Sequence, residues 1–350
     1  MTVAVVQAGV DTWSPAWYLE PDSLAGEELG QRAVVATARG RLLPDAVGGH
    51  RVGWDASTGL LYAEGHPAAE GLCLPGSEGV GLQPALDALV AALLEADVPV
   101  PPGISRAAMD FAYDGDCGGY VAHVLGDRVG FAGIRRCDTT LDLAAGSTAE
   151  GLAILSGVAA VAARPGGGTT AELRFGLDGR VETVYMRGRS GRKVLGRWYD
   201  KGQESGLAPR GRLIRPEDQR RYPKAARRAA VELTAAYVRG KFHQRFVPLW
   251  RASKGVTVAG PVVLAEKLLE AIDAGAIGAR EAESLAGHLL LTTASGRRGA
   301  GVSRATRYRR EAKLDKLGLV AAHGVMQEVE VDLHEVMEQA LDADAWGSSN

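Results

Sequence analysis

Apolar residues recur at helical spacing in "LQPALDALVAALLEADV", where Leu86, Leu89, Leu93 and Leu94 predict an amphipathic helix. Before it, "GVDTWSPAWYL" and "HRVGWDASTGLLYAEGHP" carry short apolar and aromatic runs broken by Gly, Asp and Pro, the pattern of strands joined by loops. The stretch "ISRAAMDFAYDGDCGGYVAHVLGD" fits neither period. "IRRCDTTLDLA" alternates as a strand, and "STAEGLAILSGVAAVAAR" reads as a helix with Ser147 or Thr148 as its N-cap and "RPGGG" as its stop. "TAELRFGLDGRVETVYMRGRSGRKVLGRWYDKG" reads as three strands turning at "LDGR" and "GRSGRK". "YPKAARRAAVELTAAYVRGKF" predicts a helix with a basic face. The expected fold class is α+β, an antiparallel sheet with helices on one face.

A second unit begins near Thr257. "PVVLAEKLLEAIDAG", "AREAESLAGHLLLT" and "GVSRATRYRREAKLDKLGLV" predict three helices, with Leu264, Leu268, Leu285 and Leu289 on their inner faces. Ser303 is the expected N-cap of the third helix and Gly318 its stop. Three helices with a short turn before the third resemble a helix-turn-helix domain. Arg304, Arg307 and Arg310 lie towards the N-terminal half of the third helix, the half a recognition helix presents to the major groove. The expected domains are therefore residues 1–250, residues 257–322 and an acidic tail at 323–350.

Charge changes this picture more than composition does. The net charge is only −2, but Arg187 to Arg228 holds fourteen Lys/Arg against four acids, and Arg297 to Lys316 holds eight against two. Glu328 to Asp344 holds seven acids and no Lys or Arg. Basic islands of this kind point either to a polyanion partner, whose counterions they release, or to solvated surface. The three cysteines match no zinc spacing or disulfide framework, which fits a reducing cytoplasm. The N-terminus lacks the pattern of a signal peptide, and no uncharged run is long enough to span a membrane.

No phosphate-binding loop, dinucleotide fingerprint or nucleophile elbow is present, and no His-hydrophobe-His triplet occurs. Candidate chemistry gathers in three places. On a strand, Asp138, Thr140 and Asp142 share one face and Thr139, Leu141 and Leu143 the other, which would leave both aspartates on the open face of the sheet. Aspartate is depleted in strands, and a bound cation would account for the pair. The two Cα atoms lie roughly 13 Å apart, too far to share one ion easily. In "KVLGRWYDKGQES", alternation assigns Trp198 to the core and places Tyr199 on a face with Lys193 and Arg197, joined by Lys201 if the strand continues. Tyr199 reads either as a packed aromatic or as a nucleophile whose phenolate neighbouring cations favour. Glu217 in "RLIRPEDQRRY" reads as a salt-bridge partner or as an oxygen ligand for Mg or Mn. Pro216 argues against a central strand and places Glu217 at a strand start or in a loop.

Taken in order, "MRGRSGRK", "RWYDKGQE" and "IRPE" resemble the rolling-circle replication initiators of plasmids, phages and conjugative transposons, the Rep-trans type. The resemblance runs from about Ile134 to Arg228. It implies a Rep nickase-like fold and a metal-assisted endonuclease that nicks one strand at an origin and religates it. Tyr199 would be the nucleophile, linked to the 5′ phosphate in a covalent intermediate. Arg197 and Lys201 would stabilise charge on the phosphate. Asp138, Asp142 and Glu217 would hold the divalent metal, Mg or Mn. Arg135, Arg136, Arg187, Arg189, Arg192 and Lys193 would contact DNA. The implied partners are origin DNA, double- and single-stranded, a host helicase or polymerase, and a second copy in a homodimer. Two alternatives stand beside it: a non-enzymatic DNA-binding regulator on a degenerate nickase fold, and a conjugative relaxase.

Overall fold

The computed structural model describes residues 3–19, 22–37, 40–68, 72–101, 113–114, 119–120, 130–162, 169–176, 180–188, 193–206, 208–223, 227–295, 303–322, 325 and 327–342. The fold is α+β, built on a large antiparallel sheet, with nine α-helices among the described residues. No helix among them is long and apolar enough to cross a membrane. The chain divides into two compact units that are not sequential: residues 8–140 with 219–242, and residues 1–7 with 141–218 and 243–350.

The first of these contains most of β1 (Ala4–Tyr18), then α1 (Leu24–Arg32), β2 (Val35–Thr37), β3 (Gly40–Leu42), β4 (Arg51–Asp55), β5 (Leu60–Glu64) and α2 (Gln83–Glu95). Two short strands, β6 (Tyr113–Asp114) and β7 (Gly119–Tyr120), pair with each other. The long strand β8 (Gly130–Ala144) begins here. Strands run in the order β2-β3-β4-β5-β1-β8, with neighbouring pairs among the first five antiparallel. Gly53 on β4 lets the Tyr62 ring lie across it: a Cβ there would meet that ring at 2.3 Å. Trp13 Nε1 donates to His50 Nε2 at 2.8 Å, so the His50 ring is neutral and Nδ1 donates to the Gly48 carbonyl at 2.7 Å. Leu86, Leu89 and Leu93 face inward from α2. Leu94 is exposed instead, because it stands about 100° round the helix from Leu93.

The second unit holds the end of β8, then α3 (Thr148–Ala162), β9 (Thr169–Phe175), β10 (Val181–Gly188), β11 (Val194–Asp200), the one-turn helix α4 (Lys201–Ser205) and most of β12 (Leu213–Arg221). The order is β8-β12-β11-β10-β9, leaving β9 at an edge. Ser147 caps α3, its Oγ accepting from the Glu150 amide. The expected basic helix starts later than its pattern implied: α5 spans Ala235–Ala252 after a 3₁₀ turn at Ala230–Glu232. The turns at "LDGR" and "GRSGRK" include residues outside those described.

Pro216 does not end a strand. It lies within β12, opposite Trp198 and between the Tyr199–Arg215 and Arg197–Glu217 pairs. A proline removes one ladder donor, and the pairs on either side of it hold the register. The aspartates also differ from expectation. Asp138 and Asp142 are buried, at 1% and 5% exposure, so neither lies on an open sheet face. Arginines make this burial tolerable: Arg136 pairs with Asp138, and Arg215 with Asp142.

The other sheet face of this unit is largely apolar, apart from the buried Asp218, which pairs with Arg245 of α5 at 2.8 Å. Trp198 meets Phe246 of α5 edge-on with ring centroids 5.8 Å apart. The helix α3 is apolar on nearly every side, as a helix enclosed in a core must be. One side packs on β9, β10 and β11; the other meets β13 (Thr257–Ala259), β14 (Leu319–Ala321), β15 (Glu330–Asp332) and the helix α9 (Leu333–Leu341). Part of the acidic segment is thus folded, with Leu333, Val336, Met337, Ala340 and Leu341 buried. The three helices after Thr257 are α6 (Pro261–Asp273), α7 (Ala279–Ser295) and α8 (Arg304–Lys316). Leu264, Leu268, Leu285 and Leu289 share one core cluster. Ser303 caps α8, and Gly318 beyond its end takes the left-handed conformation. The short turn expected before α8 falls in 296–302, outside the described residues.

Candidate functional site around Tyr199

The register of three antiparallel strands assembles the site. Tyr199 on β11 stands opposite Arg215 on β12 and Thr183 on β10; Arg197 stands opposite Glu217 and Tyr185. Residues directly opposite share a sheet face, so these side chains form two adjacent rows. Arg197 lies over the Tyr199 ring, 4.2 Å from its centroid. Its Nε and Nη2 both donate to Glu217 Oε2, at 2.9 and 2.8 Å. Arg215 grips Asp142 with two parallel bonds, Nε to Oδ1 at 2.5 Å and Nη2 to Oδ2 at 2.7 Å. Such forked pairs fix geometry as well as charge.

Tyr199 is itself buried, at 3% exposure, and its hydroxyl finds no hydrogen-bond partner among the described residues. Burial and the Glu217 carboxylate push its pKa well above the ordinary tyrosine value; Arg197 and Arg215 pull the other way and lose. The expectation of a favoured phenolate is therefore corrected: Glu217 and burial outweigh the arginines, and the phenol stays neutral. For Arg197, burial works against its charge, but Glu217 more than restores it.

The strand ends at Asp200, one residue after Tyr199. Asp200 caps α4, its Oδ1 accepting from the Gln203 amide at 3.1 Å and its Oδ2 from the Gly211 amide at 2.7 Å. Burial raises the Asp200 pKa against the pull of those two amides. Lys201 does not extend the β11 face; it opens α4 and bonds Glu204 at 3.0 Å. Glu204 also approaches Arg197, at 3.8 Å.

The expected site residues are thus placed unevenly. Tyr199, Arg197, Glu217 and Asp142 are tied together through shared partners. Asp138 belongs to the other unit, where Arg136 bridges it to Glu64. Arg135 stacks over Tyr62 at 4.4 Å. Arg187 bonds Glu172, and Lys193 is exposed. Arg189 and Arg192 lie outside the described residues. On α8, Arg307 and Arg310 are half-buried, beside the exposed Arg309 and Tyr308. Arg215 and Asp200 were missed by the sequence reading. The Arg-x-Glu spacing held the signal for Arg215, since it puts that side chain on the Glu217 face.

A divalent metal was expected on Asp138, Asp142 and Glu217. Among the described residues no group of three or more His, Cys, Asp or Glu side chains could hold a metal ion. Each of the three carboxylates instead engages an arginine, so as arranged they do not fit a metal centre. In comparisons with protein families, curated proteins and solved structures, nothing matches this chain.

Proposed function

We propose that this chain nicks and rejoins DNA through Tyr199 and starts rolling-circle replication. What supports the reading is one observation: a buried tyrosine hydroxyl with no hydrogen-bond partner among the described residues stands in a row with Arg215, beside the row that holds Arg197 and Glu217. A buried unsatisfied hydroxyl costs stability, and a site that binds phosphate gives a reason to keep it. In the proposed step, the Tyr199 oxygen attacks phosphorus and forms the new P–O bond while the P–O3′ bond breaks. The 3′ oxygen leaves and takes up a proton from solvent water; the 5′ phosphate stays on the tyrosine. The phenolic proton passes to Glu217, the carboxylate diagonal to Tyr199 across β11 and β12. Arg197 and Arg215 offset the charge that develops on the phosphate oxygens. Rejoining is the reverse, with the 3′ hydroxyl attacking the phosphotyrosine. In this reading residues 257–322, with Arg304, Arg307 and Arg310, find the DNA before it is cut.

The test is recovery of a covalent protein–DNA adduct on single-stranded oligonucleotides tiling the DNA around the gene. It is run with Mg, with Mn and with chelator. Adduct from the parent chain and none from Tyr199→Phe supports the proposal; no adduct under any condition overturns it. A second reading, a non-enzymatic DNA-binding regulator on the same fold, is favoured by the depth of Tyr199, 3% exposed and held neutral. DNA binding without adduct selects it.

A further inference from the structure

The two rows that define the site do not stop at Tyr199. The register continues from Thr183 to Arg174 and from Tyr185 to Glu172 on the edge strand β9. One row therefore reads Arg174, Thr183, Tyr199, Arg215 across four strands, and the next Glu172, Tyr185, Arg197, Glu217. Strands are about 4.8 Å apart, so Tyr185 lies one strand from Arg197, and Arg174 two strands, roughly 10 Å, from Tyr199. The outer part of this lattice is more open than the inner. Tyr185 is half-buried, and Arg174 is exposed. Two guanidinium groups flank the Tyr185 ring, Arg174 at 5.1 Å and Arg187 at 5.9 Å from its centroid. Arg187 is also held by Glu172, whose side chain is 45% exposed.

We infer that this outer face of β9 and β10 seats single-stranded DNA, one base stacking on Tyr185 and neighbouring phosphates taken by Arg174 and Arg187. The inference deepens the proposed nicking function and rests on it: it supplies the strand next to the scissile phosphate. An aromatic ring bracketed by arginines offers a π-face to any base and cations to the backbone, which is how sequence-tolerant single-strand binding works. Bases stacked inside a duplex cannot reach a ring lying in a sheet face, so the open strand is the preferred ligand. Glu172 keeps Arg187 in place until a phosphate displaces it.

The test uses the full chain carrying Tyr199→Phe, which binds without cutting, and a labelled oligonucleotide of about 12 nucleotides as probe. Tyr185→Leu should weaken single-strand binding by about tenfold or more, while Tyr185→Phe keeps it. Arg174→Gln, at an exposed site where folding is not at issue, should weaken binding and lower the slope of log K against log salt by about 0.7. A duplex of the same length should bind all these variants equally. The inference is overturned if Tyr185→Leu and Arg174→Gln bind the single strand like their parent, or if duplex or RNA binding falls with it in step. Its failure is separable from that of the nicking proposal. Tyr185-dependent binding by a parent chain that never forms an adduct retains the seat and removes the enzyme. Equal adduct yield at limiting DNA from the parent and from Tyr185→Leu does the opposite.

Discussion

Removing one oxygen from Tyr199 separates stability from chemistry. The hydroxyl is buried and without a hydrogen-bond partner among the described residues, so it contributes desolvation cost and no compensating bond. That cost is about 1–3 kcal/mol. The ring is kept in Tyr199→Phe, and with it the stacking of Arg197 at 4.2 Å, worth about 0.5–2 kcal/mol at sites from exposed to desolvated. The substitution should therefore raise folding stability, by up to about 3 kcal/mol, while abolishing the covalent adduct that the proposed reaction requires. Tyr199→Ala is the contrast: it empties a core site and should cost about 3–5 kcal/mol. Urea midpoints and m-values give the first quantity and denaturing gels of the adduct the second. A pH series adds a sign. Because the folded phenol is raised above its unfolded value, the stability tied to its neutral state is complete below about pH 10 and is lost as pH climbs beyond it. Tyr199→Phe should show a shallower alkaline fall than the parent. A loss above about 1 kcal/mol in Tyr199→Phe would refute the structural reasoning; an adduct surviving in it would refute the chemistry.

Three further outcomes follow from the same structure. Asp142→Asn should destabilise by about 3–5 kcal/mol by leaving the Arg215 charge buried, and the double variant with Arg215→Met should recover most of that, a coupling that a thermodynamic cycle measures. His50 is held below its ordinary pKa by burial, so its contribution is full above about pH 6.5 and is lost as pH falls through the lowered value; Trp13 fluorescence should report the break, and His50→Gln should remove that acid dependence. Gly157→Ala would put a Cβ 2.5 Å from Val258 and 3.2 Å from Leu333, and should cost about 1–3 kcal/mol in a thermal or urea midpoint.

Local patterns made β9, β10 and β11 legible in the sequence, because alternation is a property of neighbouring residues. The same alternation correctly put Trp198 against the core. What it could not supply was the depth of the opposite face. Asp142 is neutralised by an arginine 73 residues away, and only strand order brings that partner within reach. The same holds for Tyr199: its neighbours along the chain are cationic, yet Glu217 across the strand pair and burial decide its ionisation. Pro216 misled for a related reason, since a proline's cost depends on which neighbour its missing donor would have faced. The small sheet of β13, β14 and β15 escaped notice because its strands are three residues each, too short to show a period.

The helix α3 has no wet side, and this bears on how the chain can be divided. A version ending before Thr257 would expose the flank that now meets Val258 and Leu333, an apolar stripe along a helix whose other flank must stay under the sheet. Such a fragment would be expected to aggregate rather than persist as a smaller folded unit. The C-terminal segment is therefore no interchangeable cassette. Removing it without aggregation would require polar residues along the flank of α3 that now meets Val258 and Leu333.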